Sequence, residues 1–153
     1  MADEVTVKMT GVEDVMSSIK QLAIASPTAV MRGTLRVAEK IERDAKGACP
    51  VLTGRLRASL STNWTGSNQS RGKVDAKAEA DDGVGPPQPK ADTFSAVVGT
   101  NVEYAPFVEF NESAHHEVGS AHYLYTSYFS HKPEVKDEIS LELGRELAKA
   151  MKR

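Results

Sequence analysis

The sequence predicts an α+β domain: an antiparallel sheet of about four strands packed by two N-terminal helices and a C-terminal helix. Three observations carry this expectation. Alternating apolar and polar residues recur near the N-terminus and between residues 56 and 100. Two cap signals, Thr10 with Glu13 and Ser26 with Pro27, each open a stretch of helical periodicity. After Pro133, Val135, Ile139, Leu143, Leu147 and Met151 follow at spacings of four, the signature of one apolar helix stripe.

Val5, Val7 and Met9 alternate with Thr6 and Lys8, so residues 4 to 9 read as a short half-buried strand. Val12, Val15, Met16, Ile19 and Leu22 then recur at helical intervals to about Ile24. Ser26 is placed to cap a second helix, with Pro27 at the first helical position, where no N–H is needed. That helix runs to Gly47, with Val30, Thr34, Val37, Ala38, Ile41 and Ala45 along one stripe. Cys49-Pro50 marks a helix-to-loop junction, followed by a turn at Thr53-Gly54.

Leu56, Ala58 and Leu60 alternate with Arg55, Arg57 and Ser59 ahead of Thr62-Asn63-Trp64-Thr65, which reads as a strand over 56–65. Val74, Ala76, Ala78 and Ala80 alternate with charged residues, and Phe94, Ala96 and Val98 fall on one side of a strand over 93–100. The three form an antiparallel meander, to which the N-terminal strand adds a fourth member. Between them residues 81–92, DDGVGPPQPKAD, hold three prolines and form a long loop or mobile hairpin tip.

At 153 residues the chain has the size of one domain, spanning 1–153, and a formal net charge of -2 provides no general attraction for nucleic acid or acidic membranes. No stretch approaches the ~20 apolar residues of a membrane span. The N-terminus MADEVTVKMTG lacks an apolar run of signal-peptide length. Cys49 is the single cysteine, which excludes an internal disulfide and a multi-cysteine zinc site and fits folding in a reducing cytosol. Its place before Pro50 favours a packed thiol over a nucleophile.

His115, His116, Glu117 and His122 are of the residue types that bind zinc, but a zincin helix needs a second histidine where Ser120 stands. A surface or interface cluster is the reading that remains, and no metal is assigned. His131, beyond three aromatic residues, reads as a helix-start residue. No nucleophile elbow, P-loop or dinucleotide fingerprint is present, so neither catalytic residues nor a cofactor are assigned. Glu103 and Glu109 are expected to cap, to pair with Arg55 or Arg57, or to line an interface rather than to share acid–base work. Arg55, Arg57, Arg71 and Lys73 with Trp64 provide a thin nucleic-acid signal, opposed by Asp75, Glu79, Asp81 and Asp82.

The segment Val98-Gly99-Thr100-Asn101-Val102-Glu103-Tyr104-Ala105-Pro106-Phe107-Val108-Glu109-Phe110 moves from a β-type run through a turn into an aromatic, proline and acid cluster suited to a fixed contact surface. Together with Cys49-Pro50-Val51-Leu52-Thr53-Gly54-Arg55-Leu56-Arg57-Ala58-Ser59-Leu60, in that order and spacing, it resembles the small tail-component proteins of long-tailed bacteriophages over residues 10–152. The resemblance implies a non-enzymatic virion protein of the neck or upper tail, assembled in the host cytoplasm. Copies would form a ring, a hexamer, at the head–tail junction, contacting other neck or tail-tube proteins. DNA would pass through without sequence-specific binding, and no membrane is involved.

On this reading Thr53, Gly54, Arg55, Arg57, Tyr104, Pro106, Phe107, Glu109 and Phe110 are fold-defining or interface residues. The alternatives are a tail terminator capping the tube and, from a different class, a small metal-dependent enzyme using His115, His116 and His122. Family members commonly carry glycine where this chain has Asn111, a residue that tolerates the same left-handed backbone. The usual proline-rich approach to the last helix is replaced by Ala121-His122-Tyr123-Leu124-Tyr125.

Overall fold

One helix, α1 (Val12–Ala48, 37 residues), is the spine of the computed structural model, which describes residues 12–51, 54–64, 94–100, 102–113 and 116–152. Among the described residues six further elements follow: α2 (Arg55–Ser59), β1 (Ser61–Trp64), β2 (Ala96–Gly99), α3 (Ala105–Phe110), α4 (Tyr123–His131) and α5 (Glu134–Ala150). Helix accounts for 69% of the described residues, and the sheet has two antiparallel strands. The expected four-stranded sheet covered by helices is therefore corrected to a mostly helical fold carrying a small ribbon. The expected strands at 4–9 and 74–80, and the loop at 81–92, lie outside the described residues.

The two expected N-terminal helices are one. Pro27 lies inside α1, where its missing N–H leaves the carbonyl of Ala23 without its usual partner. The Ser26 hydroxyl donates to that same carbonyl at 3.1 Å, so the serine that reads as a cap instead repairs the gap. The run 56–65 is corrected as well. Arg55–Ser59 is a turn of helix that buries Leu56 and Ser59, three apart, and only Ser61–Trp64 is extended. β1 pairs directly with β2, with Ser61 opposite Gly99 and Trp64 opposite Ala96, so the two are neighbours rather than outer strands of a meander.

α5 packs antiparallel along α1, and charge sets the register. Arg32 meets Glu146 at 3.1 Å, Arg36 meets Glu142 at 2.9 Å, and Lys40 meets Glu138 at 2.8 Å and Glu134 at 2.7 Å. Cations spaced four apart on one helix thus face acids spaced four apart on the other, one per turn. Most of these pairs are part-exposed and contribute little singly. Glu142 differs, being 97% buried and held between Arg36 and Arg145. The axes can come this close because Gly33 lies against Ile139, where a Cβ would stand 2.7 Å from the Ile139 Cα.

At the C-terminal end of α1, Ala45, Cys49, Leu56, Leu60, Val102, Ala105 and Tyr123 form the main buried cluster. Full burial of side chains such as Leu60 contributes roughly 1.5–3 kcal/mol each. Residues 118–120 strap this end: Ser120 N–H donates to the Ala48 carbonyl at 3.0 Å and Val51 N–H to that of Val118 at 3.3 Å. Gly119 makes the strap possible: its φ is +85°, and a Cβ there would stand 2.5 Å from the Pro50 nitrogen and 2.6 Å from the Ala48 carbonyl oxygen, leaving no room for a side chain.

His131 ties the α4–α5 corner to the spine. Its Nε2 is 2.7 Å from Asp44 and its Nδ1 is 2.7 Å from Glu134. The hydrogen bonds to Asp44 and then Glu134 raise its pKa above the ordinary histidine value, and the bond to His131 in turn lowers that of Asp44. No helix among the described residues is long and apolar enough to cross a membrane.

Candidate functional site

The two stretches singled out in the sequence lie far apart along the chain and pack into one unit. Ser59, at the end of α2, shares a 2.6 Å hydrogen bond with the Thr100 hydroxyl, which also accepts the Val102 N–H at 3.2 Å and so shapes the turn into α3. The Arg55 guanidinium lies 6.0 Å from the centroid of the Tyr104 ring, within cation–π range. Leu56 and Leu60 from the first stretch share a core with Val102 and Ala105 from the second. The β1–β2 ladder closes the unit from the other side.

The predicted residues other than Thr53 belong to this unit or flank it. Gly54 precedes α2 with φ +79°, a left-handed backbone that favours glycine. Arg57 is exposed on α2, and Thr53 lies outside the described residues. Tyr104 precedes α3 and Pro106 occupies its first turn, where the ring costs no hydrogen bond. Phe107 and Phe110 are each 67% exposed. Asn111 ends α3 with φ -90°, so the left-handed turn tolerated there is not used; its side chain accepts the Ser113 N–H at 3.1 Å.

Glu109 is buried and caps another helix. Its carboxylate accepts the backbone N–H of Leu124 at 3.1 Å and of Tyr125 at 2.8 Å, and its own carbonyl accepts the His122 N–H at 2.8 Å. α4 has no side-chain cap of its own, because His122 at its start has φ 57° and turns away from that role. A negative charge on the free N–H groups of a helix start also complements the helix dipole. Of the roles open to Glu109, capping is the one it fills, and it locks α3 to α4.

This lock places a second set of aromatics beside the first. His122 lies 6.2 Å from Phe110 and 6.1 Å from Tyr125, Tyr125 stacks at 4.4 Å on Phe129, and Tyr128 meets Phe129 edge-on at 5.2 Å. Lys132 holds its ammonium 5.8 Å from the Tyr128 ring centre and 5.6 Å from that of Phe129. Between these rings, β2 and the middle of α1 runs an apolar groove of about 660 Å³. Periodicity does not find this groove, because it is assembled from five elements. The aromatic run Tyr123–Phe129 was its visible signal.

The other candidates separate from the groove. Cys49 is fully buried, and burial pushes its thiol up to about 11, away from nucleophile chemistry at neutral pH. His122 pairs with Glu112 at 3.0 Å, His116 lines a separate cavity of about 630 Å³ with Arg55 and Tyr104, and His115 lies outside the described residues. Among the described residues no group of three histidines, cysteines or acids is arranged to hold a metal. Rather than starting a helix, His131 ends α4. Set against known family models, curated proteins and solved structures, the chain finds no match.

Proposed function

We propose that this chain is a structural protein of a long-tailed phage virion that assembles with copies of itself into a ring at the head–tail junction. The observation that supports it is the packing of the two family-like stretches into one unit, from which Phe107 and Phe110 project while Glu109 is buried behind them. A segment built for catalysis would bury its aromatics around reactive groups. Here the rigid backbone of α3 is spent on presenting rings outward, which suits a docking surface. The ring would contact neck or tail-tube proteins and let DNA through without reading it. The role is non-enzymatic and calls for no cofactor.

Electron microscopy of particles made without this protein tests the proposal. Full heads separate from finished tails are the expected outcome. Overlong tails would move the assignment to a tail terminator, and normal infectious particles would overturn both.

A further inference from the structure

The apolar stripe of α1 does not stop where its partner stops. Ala29, Gly33 and Val37 are buried along the side of α1 that faces α5. At helical spacing the same side continues through Leu22, Ile19 and Val15. α5 ends beside Gln21, Ile24 and Ala25, so the turns before them project beyond it. There Val15, Met16 and Ile19 remain more than half exposed, at 59%, 53% and 56%. A stripe with core character, continuous with the core and uncovered, is what a helix shows when its partner comes from elsewhere.

We infer that these projecting turns of α1 dock in the aromatic groove of a second copy, seating Val15 and Ile19 against Phe110 and Tyr128. The pairing rests on the assembly reading above. A copy cannot fill its own groove: Ile19 and the groove-lining Val37 lie on one continuous helix, about 27 Å apart at 1.5 Å per residue. The groove is apolar and ring-lined, the form that accepts one face of an amphipathic helix through anchors four residues apart.

Charge orients the contact. Glu13 and Asp14 open α1, and Lys132 stands over Tyr128 and Phe129 at the groove rim, so acids on the donor meet a cation on the acceptor. Both halves of the contact are present in one chain, and they are different surfaces. Each copy then donates to one neighbour and accepts from another, the head-to-tail arrangement that closes into a ring when the rotation permits.

Directed cross-linking tests this pairing. Full-length chains carrying Ile19→Cys and Tyr128→Cys are mixed, concentrated with and without tail tubes, and treated with a short bismaleimide; native Cys49 is buried and does not compete. The expected product is the mixed dimer, with little from either variant alone. Ile19→Asp, on a projecting turn outside the core, is expected to weaken assembly roughly tenfold or more by removing one buried apolar anchor. Lys132→Glu weakens it too, and Glu13→Lys with Asp14→Lys in the same chain restores it. Larger species in light scattering without the mixed cross-link would overturn the pairing and leave the ring standing. Cross-linked assemblies alongside normal virions made without the protein would uphold the pairing and overturn the phage role. Monomer alone, with and without tubes, would overturn both.

Discussion

Replacing Gly33 by alanine places a methyl group where α1 and α5 touch. The new Cβ would stand 2.7 Å from the Ile139 Cα, 2.8 Å from its nitrogen and 2.9 Å from its Cγ1. Carbon atoms pack best at about 3.5–4.0 Å, so relief requires roughly 1 Å of separation. The Cγ1 can rotate away, but the Cα and nitrogen are backbone, and moving them means parting the helices along their charge ladder. Overpacking of this kind costs roughly 1–3 kcal/mol. Alanine's better helix propensity returns about 0.8–1 kcal/mol, leaving a net loss of up to about 2 kcal/mol. For a chain of this size that lowers Tm by up to about 8 °C.

Gly144 is the internal control, since a Cβ there meets nothing within 4 Å. Gly144→Ala should gain up to about 1 kcal/mol from the same propensity term. Urea titration and scanning calorimetry of both variants give the comparison. Equal stabilisation by the two substitutions would refute the close helix approach and, with it, the register assigned to α1 and α5.

Three further outcomes follow from the site and the corner. Glu109→Ala strands the N–H groups of Leu124 and Tyr125 and should cost about 2–3 kcal/mol in urea unfolding, with Glu109→Gln milder because one oxygen remains; equal, negligible losses would remove the capping role. His131 has a raised pKa in the folded chain, so its contribution to stability is complete below the ordinary value of 6.5 and is lost as pH rises through the raised folded value. Urea midpoints across that window should fall with pH in the wild type and flatten in His131→Asn; an unchanged slope would assign it elsewhere. Cys49 should react with a thiol reagent only as fast as the protein opens, and rapid labelling of the native state would contradict its burial.

How far each element is legible depends on whether its cause is local. α5 is plain in the sequence because Pro133 starts it and its apolar residues keep one spacing. The facing ladders of Arg32, Arg36 and Lys40 against Glu134, Glu138, Glu142 and Glu146 went unread, since nothing local pairs two helices so far apart in the chain. Pro27 misleads because serine–proline has two uses. As a helix start, Ser26 caps free N–H groups; inside α1 it serves the Ala23 carbonyl, and nothing in the local sequence decides between them. Arg55–Leu60 misleads because so short a run fits both periods, and the choice falls to the core that receives Leu56, Ser59 and Leu60. The aromatic content of the segment after Tyr104 was legible by composition, whereas Glu109's capping role was not, since its partners lie a loop away on α4.

The ribbon of β1 and β2 has a consequence for how this chain varies. Trp64 pairs with Ala96 on a four-pair ladder tied to α1 through the Thr62–Glu42 hydrogen bond. A slip of one residue would send Thr62 to the opposite face of the ribbon and break that bond, so α1 helps to hold the register of the strands. Substitutions in β1 and β2 are therefore tolerated only where they keep this register, even though each strand is four residues long.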